Sequence, residues 1–221
     1  MKTGVIIPAA GQSTRMGAAK QLMMLGDKPV LIRTLEIFNN HEEIDEIVVV
    51  TTGNVAEVIK TYDFKKIKAV VEGGLYRQAS VWKGLLSLSY DISWVLIHDG
   101  ARPLVTRQVI SDILDRVRKG YCAISGVKSK DTIKITDEDN NVIDTPDRAQ
   151  AWLVQTPQGF PYALIKKAHL RAIEEGFIGT DDAMLIERMG IQVRMVEGDY
   201  CNIKLTTPED ISVAEALLHM R

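Results

Sequence analysis

Short runs of consecutive apolar, often β-branched residues alternate along this chain with longer stretches whose apolar residues recur every three or four positions. That alternation restricts the fold more than any other feature. Strand-like runs fall at residues 4–8, 44–51, 68–72, 94–98 and 121–125. Several are apolar at nearly every position, as strands covered on both faces must be. Between them, residues 31–38 carry Leu31, Ile32, Leu35 and Phe38, and residues 80–88 carry Val81, Trp82, Leu85 and Leu88. Residues 109–117 carry Val109, Ile110, Ile113, Leu114 and Val117. All three follow the i, i+3, i+4 spacing of an amphipathic helix. Strand–helix–strand repetition predicts an α/β fold: a mostly parallel sheet flanked by helices. Ligands of such sheets bind beyond the carboxyl ends of the strands, so chemistry is expected in the loops that follow them.

The alternation breaks near residue 127. Residues 128–135 show a short strand pattern, Asp137-Glu138-Asp139-Asn140-Asn141 forms a polar turn, and residues 142–145 resume an extended pattern. This predicts a β-hairpin arm over approximately 128–150. A lone hairpin is marginal in water and should pack on something, a second subunit being one candidate. Helices are expected near 162–175 and 181–189, a strand at 192–197 and a last helix at 208–220. No repeat or linker divides the chain, so the expectation is one domain, 1–221, with a protruding arm.

The balance of 46% hydrophobic and 25% charged residues is that of an ordinary globular protein. A net charge of -2 gives no global attraction to nucleic acid or to an anionic membrane, so any anion site must be built locally. The two cysteines, Cys122 and Cys201, lie far apart in no metal-like spacing and are expected as buried apolar thiols in a reducing compartment. The apolar run after Met1 is too short for a signal peptide or a membrane span, and the expected location is the cytoplasm.

The loop after the first run reads Pro8-Ala9-Ala10-Gly11-Gln12-Ser13-Thr14-Arg15-Met16-Gly17-Ala18-Ala19-Lys20. Small residues let backbone N–H groups approach a phosphate, Arg15 offers a planar fork of donors, and Lys20 offers a mobile charge. It is neither a Walker A loop nor a dinucleotide fingerprint, because Gly-Lys-Ser/Thr and Gly-x-Gly-x-x-Gly are both absent. Glu72-Gly73-Gly74-Leu75-Tyr76-Arg77-Gln78-Ala79-Ser80 opens a helix, with glycines suited to a flat ligand and with Ser80 expected to cap. His98-Asp99-Gly100-Ala101-Arg102-Pro103 places Asp99 where a carboxylate would hold Mg²⁺ on a triphosphate, and His98 is expected to be structural. Arg102 could bind a substrate phosphate or pair with Asp99. Near the end, Lys204 precedes a helix that Thr206 or Thr207 could cap. No nucleophile–base set stands out.

In order, Ala9-Ala10-Gly11, Gly73-Gly74…Arg77…Ser80-Val81, His98-Asp99-Gly100-Ala101-Arg102-Pro103, Lys130-Asp131-Thr132-Ile133-Lys134, Gln155-Thr156-Pro157-Gln158 and Asn202-Ile203-Lys204 resemble the 2-C-methyl-D-erythritol 4-phosphate cytidylyltransferases. The loop around Met16–Lys20 is shorter than is usual there. The resemblance implies a Rossmann-like nucleotidyltransferase fold and a homodimer with interlocked arms. The implied reaction joins CTP to the alcohol phosphate with release of pyrophosphate, a step of non-mevalonate isoprenoid synthesis. It implies that Arg15 and Lys20 stabilise charge at the α-phosphate. Arg148, on the arm, and Lys204 would position the attacking phosphate, and Arg102, Thr132 and Thr156 would contact the alcohol phosphate. Ala9, Ala10, Gly11, Gly74 and Ser80 would contact CTP, and Asp99 would bind Mg²⁺. A ribitol 5-phosphate cytidylyltransferase and a non-catalytic nucleotide-binding regulator are the alternatives. The Ala-Ala-Gly and Asp-Gly-Ala-Arg-Pro motifs favour methylerythritol phosphate over ribitol phosphate.

Overall fold

The computed structural model describes residues 1–11 and 20–220, with only the backbone of Lys20. Expectations placed on Arg15 and on the Lys20 side chain therefore lie outside the described residues.

The strands are β1 (Lys2–Pro8), β2 (Met24–Leu25), β3 (Lys28–Pro29), β4 (Glu46–Thr51), β5 (Ile67–Glu72), β6 (Ile92–Ile97), β7 (Cys122–Lys128), β8 (Ile135–Thr136), β9 (Val142–Asp144), β10 (Trp152–Pro161) and β11 (Val193–Glu197). The helices are α1 (Val30–Asn39), α2 (Gly53–Lys60), α3 (Arg77–Ser87), α4 (Arg107–Arg118), α5 (Tyr162–Glu174), α6 (Asp182–Glu187) and α7 (Glu209–His219). Among the described residues, seven strands form one sheet in the order β11-β7-β10-β6-β1-β4-β5. All neighbours are parallel except β10, which runs antiparallel to both β6 and β7. The predicted α/β class, with its mostly parallel sheet and helices on both faces, is the fold observed.

Doubly apolar strands feed two cores. β1 sends Val5 and Ile7 into the layer under α1, α2 and α4, and sends Ile6 into the layer under α3, α5 and α6. Strand residues alternate faces, so a strand covered on both sides needs apolar residues at every position. A third, smaller cluster seats α7 through Ala214 against Leu25, Val30, Leu104 and Leu205.

Besides the two-residue strands β2 and β3, two longer elements escaped the sequence reading. Helix α2 buries only Val55 and Ile59, so its periodic signal is weak. Strand β10 carries Gln155, Thr156 and Gln158, polar side chains that are nonetheless buried. They fit because each finds a specific partner. Gln155 donates to the Asp199 carbonyl and Gln158 to Asp181. The β10–β7 register shifts between Val154 and Gln158, around Pro157, which has no N–H to give a regular ladder.

The arm is present but smaller than predicted. β7 extends to Lys128, residues 129–134 carry no strand, and only β8 and β9 pair, antiparallel, with every residue exposed. The helix caps also differ from expectation. Ser80 lies inside α3, which has Tyr76 at its N-cap. At α7 the cap position is Pro208, and the Asp210 carboxylate accepts from the Thr206 and Thr207 N–H groups, so the carboxylate acts rather than either threonine hydroxyl. Cys122 is buried as expected, but Cys201 is only partly so.

Candidate active site

Loops after β1, β5 and β6 meet beyond the carboxyl end of the sheet around a cavity of about 590 Å³. Its lining includes Ala10, Gly74, Ser80, Asp99 and Lys204. Close approach of backbone makes this possible. A Cβ on Gly73 would lie 2.1 Å from the Ala10 Cβ, and one on Gly74 would lie 2.6 Å from the Ala79 Cβ. Glycine is therefore required where the β5 loop passes the β1 loop. The Ser80 hydroxyl accepts from the Gly74 N–H at 3.0 Å and donates back to the Tyr76 carbonyl at 3.2 Å, holding the glycine turn against α3. Gln21, buried, donates to the carbonyls of Ala9 at 2.7 Å and Gly11 at 3.0 Å and so braces the β1 loop.

Asp99 forms the cavity floor and is 7% exposed. Its Oδ1 accepts from Arg77 Nε at 3.0 Å. Its Oδ2 lies 2.8 Å from Lys204 Nζ and 4.0 Å from Arg102 Nε. Burial alone would push this carboxyl's pKa up, but the charges of Arg77, Lys204 and Arg102 outweigh burial and hold it well below the usual carboxylate range. Asp99 is therefore ionised at any physiological pH. Arg102, which burial makes easier to deprotonate, gives Nη1 to the Asn202 carbonyl at 2.6 Å.

Behind Asp99 runs a chain of oriented groups. A carbonyl can only accept, so the His98 Nε2 that faces the Arg102 carbonyl at 3.1 Å carries the proton. His98 Nδ1 then accepts from the Thr156 hydroxyl at 3.1 Å. That hydroxyl in turn accepts from the Asp99 N–H at 3.0 Å. His98 is fully buried against the Phe38 ring, and burial lowers its pKa to about 4. Its role is structural, as expected.

The structure thus brings Ala9, Ala10, Gly11, Gly74, Ser80, Asp99 and Lys204 to one cavity. Arg102 stands beside Asp99, and Thr156 is buried behind it. Thr132 and Arg148 do not line the cavity; both are exposed at the arm, where Arg148 Nη1 donates to the Lys130 carbonyl at 3.2 Å. The sequence reading assigned no role to Arg77, although it lies in the glycine motif and is a cation at a helix start. Nothing in the sequence marked Asp182, which joins Arg77 across 105 residues.

The model of the family described as 2-C-methyl-D-erythritol 4-phosphate cytidylyltransferase matches residues 3–220. The chain belongs to this family. A relative bearing that name from Caldanaerobacter subterraneus subsp. tengcongensis is 47% identical, and the match covers 99% of each chain. The crystal structure of 4-diphosphocytidyl-2C-methyl-D-erythritol synthase from Anaerococcus prevotii superposes with a TM-score of 0.89 at 36% identity, covering 99% of this chain and 96% of the other. The 2-C-methyl-D-erythritol 4-phosphate cytidylyltransferase from Thermus thermophilus superposes with a TM-score of 0.81 at 34% identity, covering 99% and 100%. Family members are cytidylyltransferases, and the resemblance read from the ordered motifs is thereby borne out.

Proposed function

We propose that this chain transfers the cytidylyl group of CTP to 2-C-methyl-D-erythritol 4-phosphate, giving 4-diphosphocytidyl-2-C-methyl-D-erythritol and pyrophosphate in isoprenoid precursor synthesis. Family membership supports the reaction, and one observation carries the site: a carboxylate held ionised among three cations on the floor of a glycine-walled cavity. Both reactants are anions. Two unit charges ~4 Å apart repel by about 4 kcal/mol at an effective dielectric near 20, so cations must offset the encounter. Arg77, Arg102 and Lys204 are placed to do so, and Arg15 and Lys20 are proposed to join them. The attacking phosphate is already nucleophilic at neutral pH, so neither a covalent intermediate nor a general base is required. Positioning and charge neutralisation supply the acceleration.

Asp99 fits a role in holding Mg²⁺. Among the described residues no group of three or more His, Cys, Asp or Glu could hold a metal ion. A single ionised carboxylate at the cavity floor suits a cation bound mainly by phosphate oxygens. When bound, Mg²⁺ would neutralise triphosphate charge. Lys204, a point charge on a flexible stem, can leave Asp99 for a phosphate.

The alcohol-phosphate side of the site includes Arg102, with Thr156 behind it. Thr132 and Arg148 would complete it from the arm of a second subunit, making the active form a homodimer. Ile143 is 64% exposed on that arm and Val142 58%, which supports such a partner. The chain is proposed to work as one domain in the cytoplasm; among the described residues no helix is long and apolar enough to cross a membrane. The test is pyrophosphate release with CTP and Mg²⁺ against methylerythritol phosphate and ribitol phosphate in parallel. Release with the first alcohol is expected; preference for the second, or none with either, would reject the assignment.

A further inference from the structure

Arg77 stands between the cavity and the interior. Nε reaches Asp99 Oδ1 at 3.0 Å on the cavity side, while Nη1 reaches Asp182 Oδ2 at the shorter distance of 2.6 Å on the buried side. Asp182 opens α6, is 1% exposed and does not line the cavity. Its other oxygen, Oδ1, lies 3.0 Å from Nε2 of His169, which is fully buried on α5 and stacked on Trp82. A carboxylate only accepts, so His169 Nε2 donates. Gln158 fixes the start of α6, its Oε1 accepting from the N–H groups of Asp182 and Ala183 and its Nε2 donating to Asp181.

A guanidinium beside a lone carboxylate tends to engage both oxygens with its fork. Here Arg77 gives Asp99 only Nε, while Nη1, on the edge away from the Nε–Nη2 fork, is anchored by Asp182 and fixes how the guanidinium plane is turned. Arg77 meets Asp99 through Oδ1 alone, and Oδ2 faces Lys204, whose side chain is 39% exposed, with Arg102 Nε farther off at 4.0 Å. We infer that Asp182 and His169 are positioning residues: they hold Arg77 back so that one oxygen of Asp99 stays available to a movable or incoming cation. This rests on the reading of Asp99 as the carboxylate for nucleotide-bound Mg²⁺. His169 turns the Asp182 carboxylate toward Arg77, and Asp182 sets how much of Arg77 reaches Asp99. Asp182 also balances one cation at the cavity floor, so removing its charge makes the floor more positive.

The test compares wild type with Asp182→Asn, His169→Phe and His169→Gln by pyrophosphate release against Mg²⁺, by calorimetric CTP binding without metal, and by thermal unfolding. For Asp182→Asn the half-saturating Mg²⁺ concentration should rise about tenfold, with kcat at saturating Mg²⁺ changed by less than about threefold. Metal-free CTP should bind more tightly. His169→Phe keeps an aromatic ring against Trp82 but loses the donor and should shift both readings the same way. His169→Gln, whose amide can donate, should restore them. A merely structural staple between α6 and α3 would lower the melting temperature and leave both readings unmoved, and that result would overturn the inference. Should Asp182→Asn not fold, the His169 pair decides by the same readings. Asp99→Asn is the reference. If it too leaves the Mg²⁺ requirement unchanged, the assignment of Asp99 fails and takes the inference with it. If Asp99→Asn raises the requirement while Asp182→Asn does not, the inference alone fails.

Discussion

His98 shows how one buried ring couples stability to the site. Its protonated Nε2 is committed to the Arg102 carbonyl and its bare Nδ1 to the Thr156 hydroxyl, so a second proton has nowhere to go without breaking the link to Asp99. Burial lowers its pKa from 6.5 to about 4. The unfolded chain therefore takes up a proton at this residue before the folded one does. The stabilisation is complete above pH 6.5 and is lost as the pH falls through the folded value. For this single group the loss approaches about 3 kcal/mol. Urea unfolding between pH 7.5 and pH 4 should show it as a falling midpoint. A His98→Gln variant, which does not titrate there, should be less stable at pH 7.5 and should show a flatter curve over the interval. Parallel curves would exclude the residue as the source. The motif His98-Asp99-Gly100 announced a charged loop, but not that the histidine would serve the aspartate through a threonine from another strand.

Among the elements, the contact between the loops after β1 and β5 decides whether a cavity exists. Gly73 passes so close to Ala10 that no side chain fits between them. A Gly73→Ala substitution must push the β1 loop aside, at about 1–3 kcal/mol of stability. CTP affinity should fall more sharply than the affinity for the alcohol phosphate if the displaced residues line the nucleotide side, as proposed. Unchanged CTP binding in a calorimetric titration would show that the β1 loop is not a nucleotide wall. The glycine pair was legible as a site of close approach. Its partner was not, since Ala10 and Gly73 meet only after β1 and β4 pair in parallel and β5 adds to the edge. Strands such as β1 and β4 were legible because burial on both faces leaves an uninterrupted apolar run. β10 was not, because its buried Gln155 and Gln158 depend on carbonyl and carboxylate partners supplied by distant loops.

At the level of the whole molecule, the arm is the feature that the single chain does not account for. β8 and β9 make a two-stranded ribbon with no core of its own, and Ile135, Val142 and Ile143 are exposed on it. Such a ribbon is marginal in water unless something covers it. Sedimentation should find a dimer, and replacing Val142 and Ile143 together with Asp should yield a folded monomer. Turnover in that monomer should drop about 10²-fold through loss of the Arg148 proposed to be supplied across the interface. A monomeric variant with full activity would confine the site to one chain. The α/β class, the parallel sheet, the existence of an arm and the ordered loops bearing Asp99 and Lys204 all follow from local periodicity and motif order. Those signals survive in one dimension because hydrophobic spacing and turn chemistry act over a few residues. The division of Arg77 between Asp99 and Asp182, the proton position on His98 and the burial of β10 arise only in three dimensions. Each depends on polar groups brought together from remote parts of the chain, whose pairing compensates a desolvation that no local pattern records.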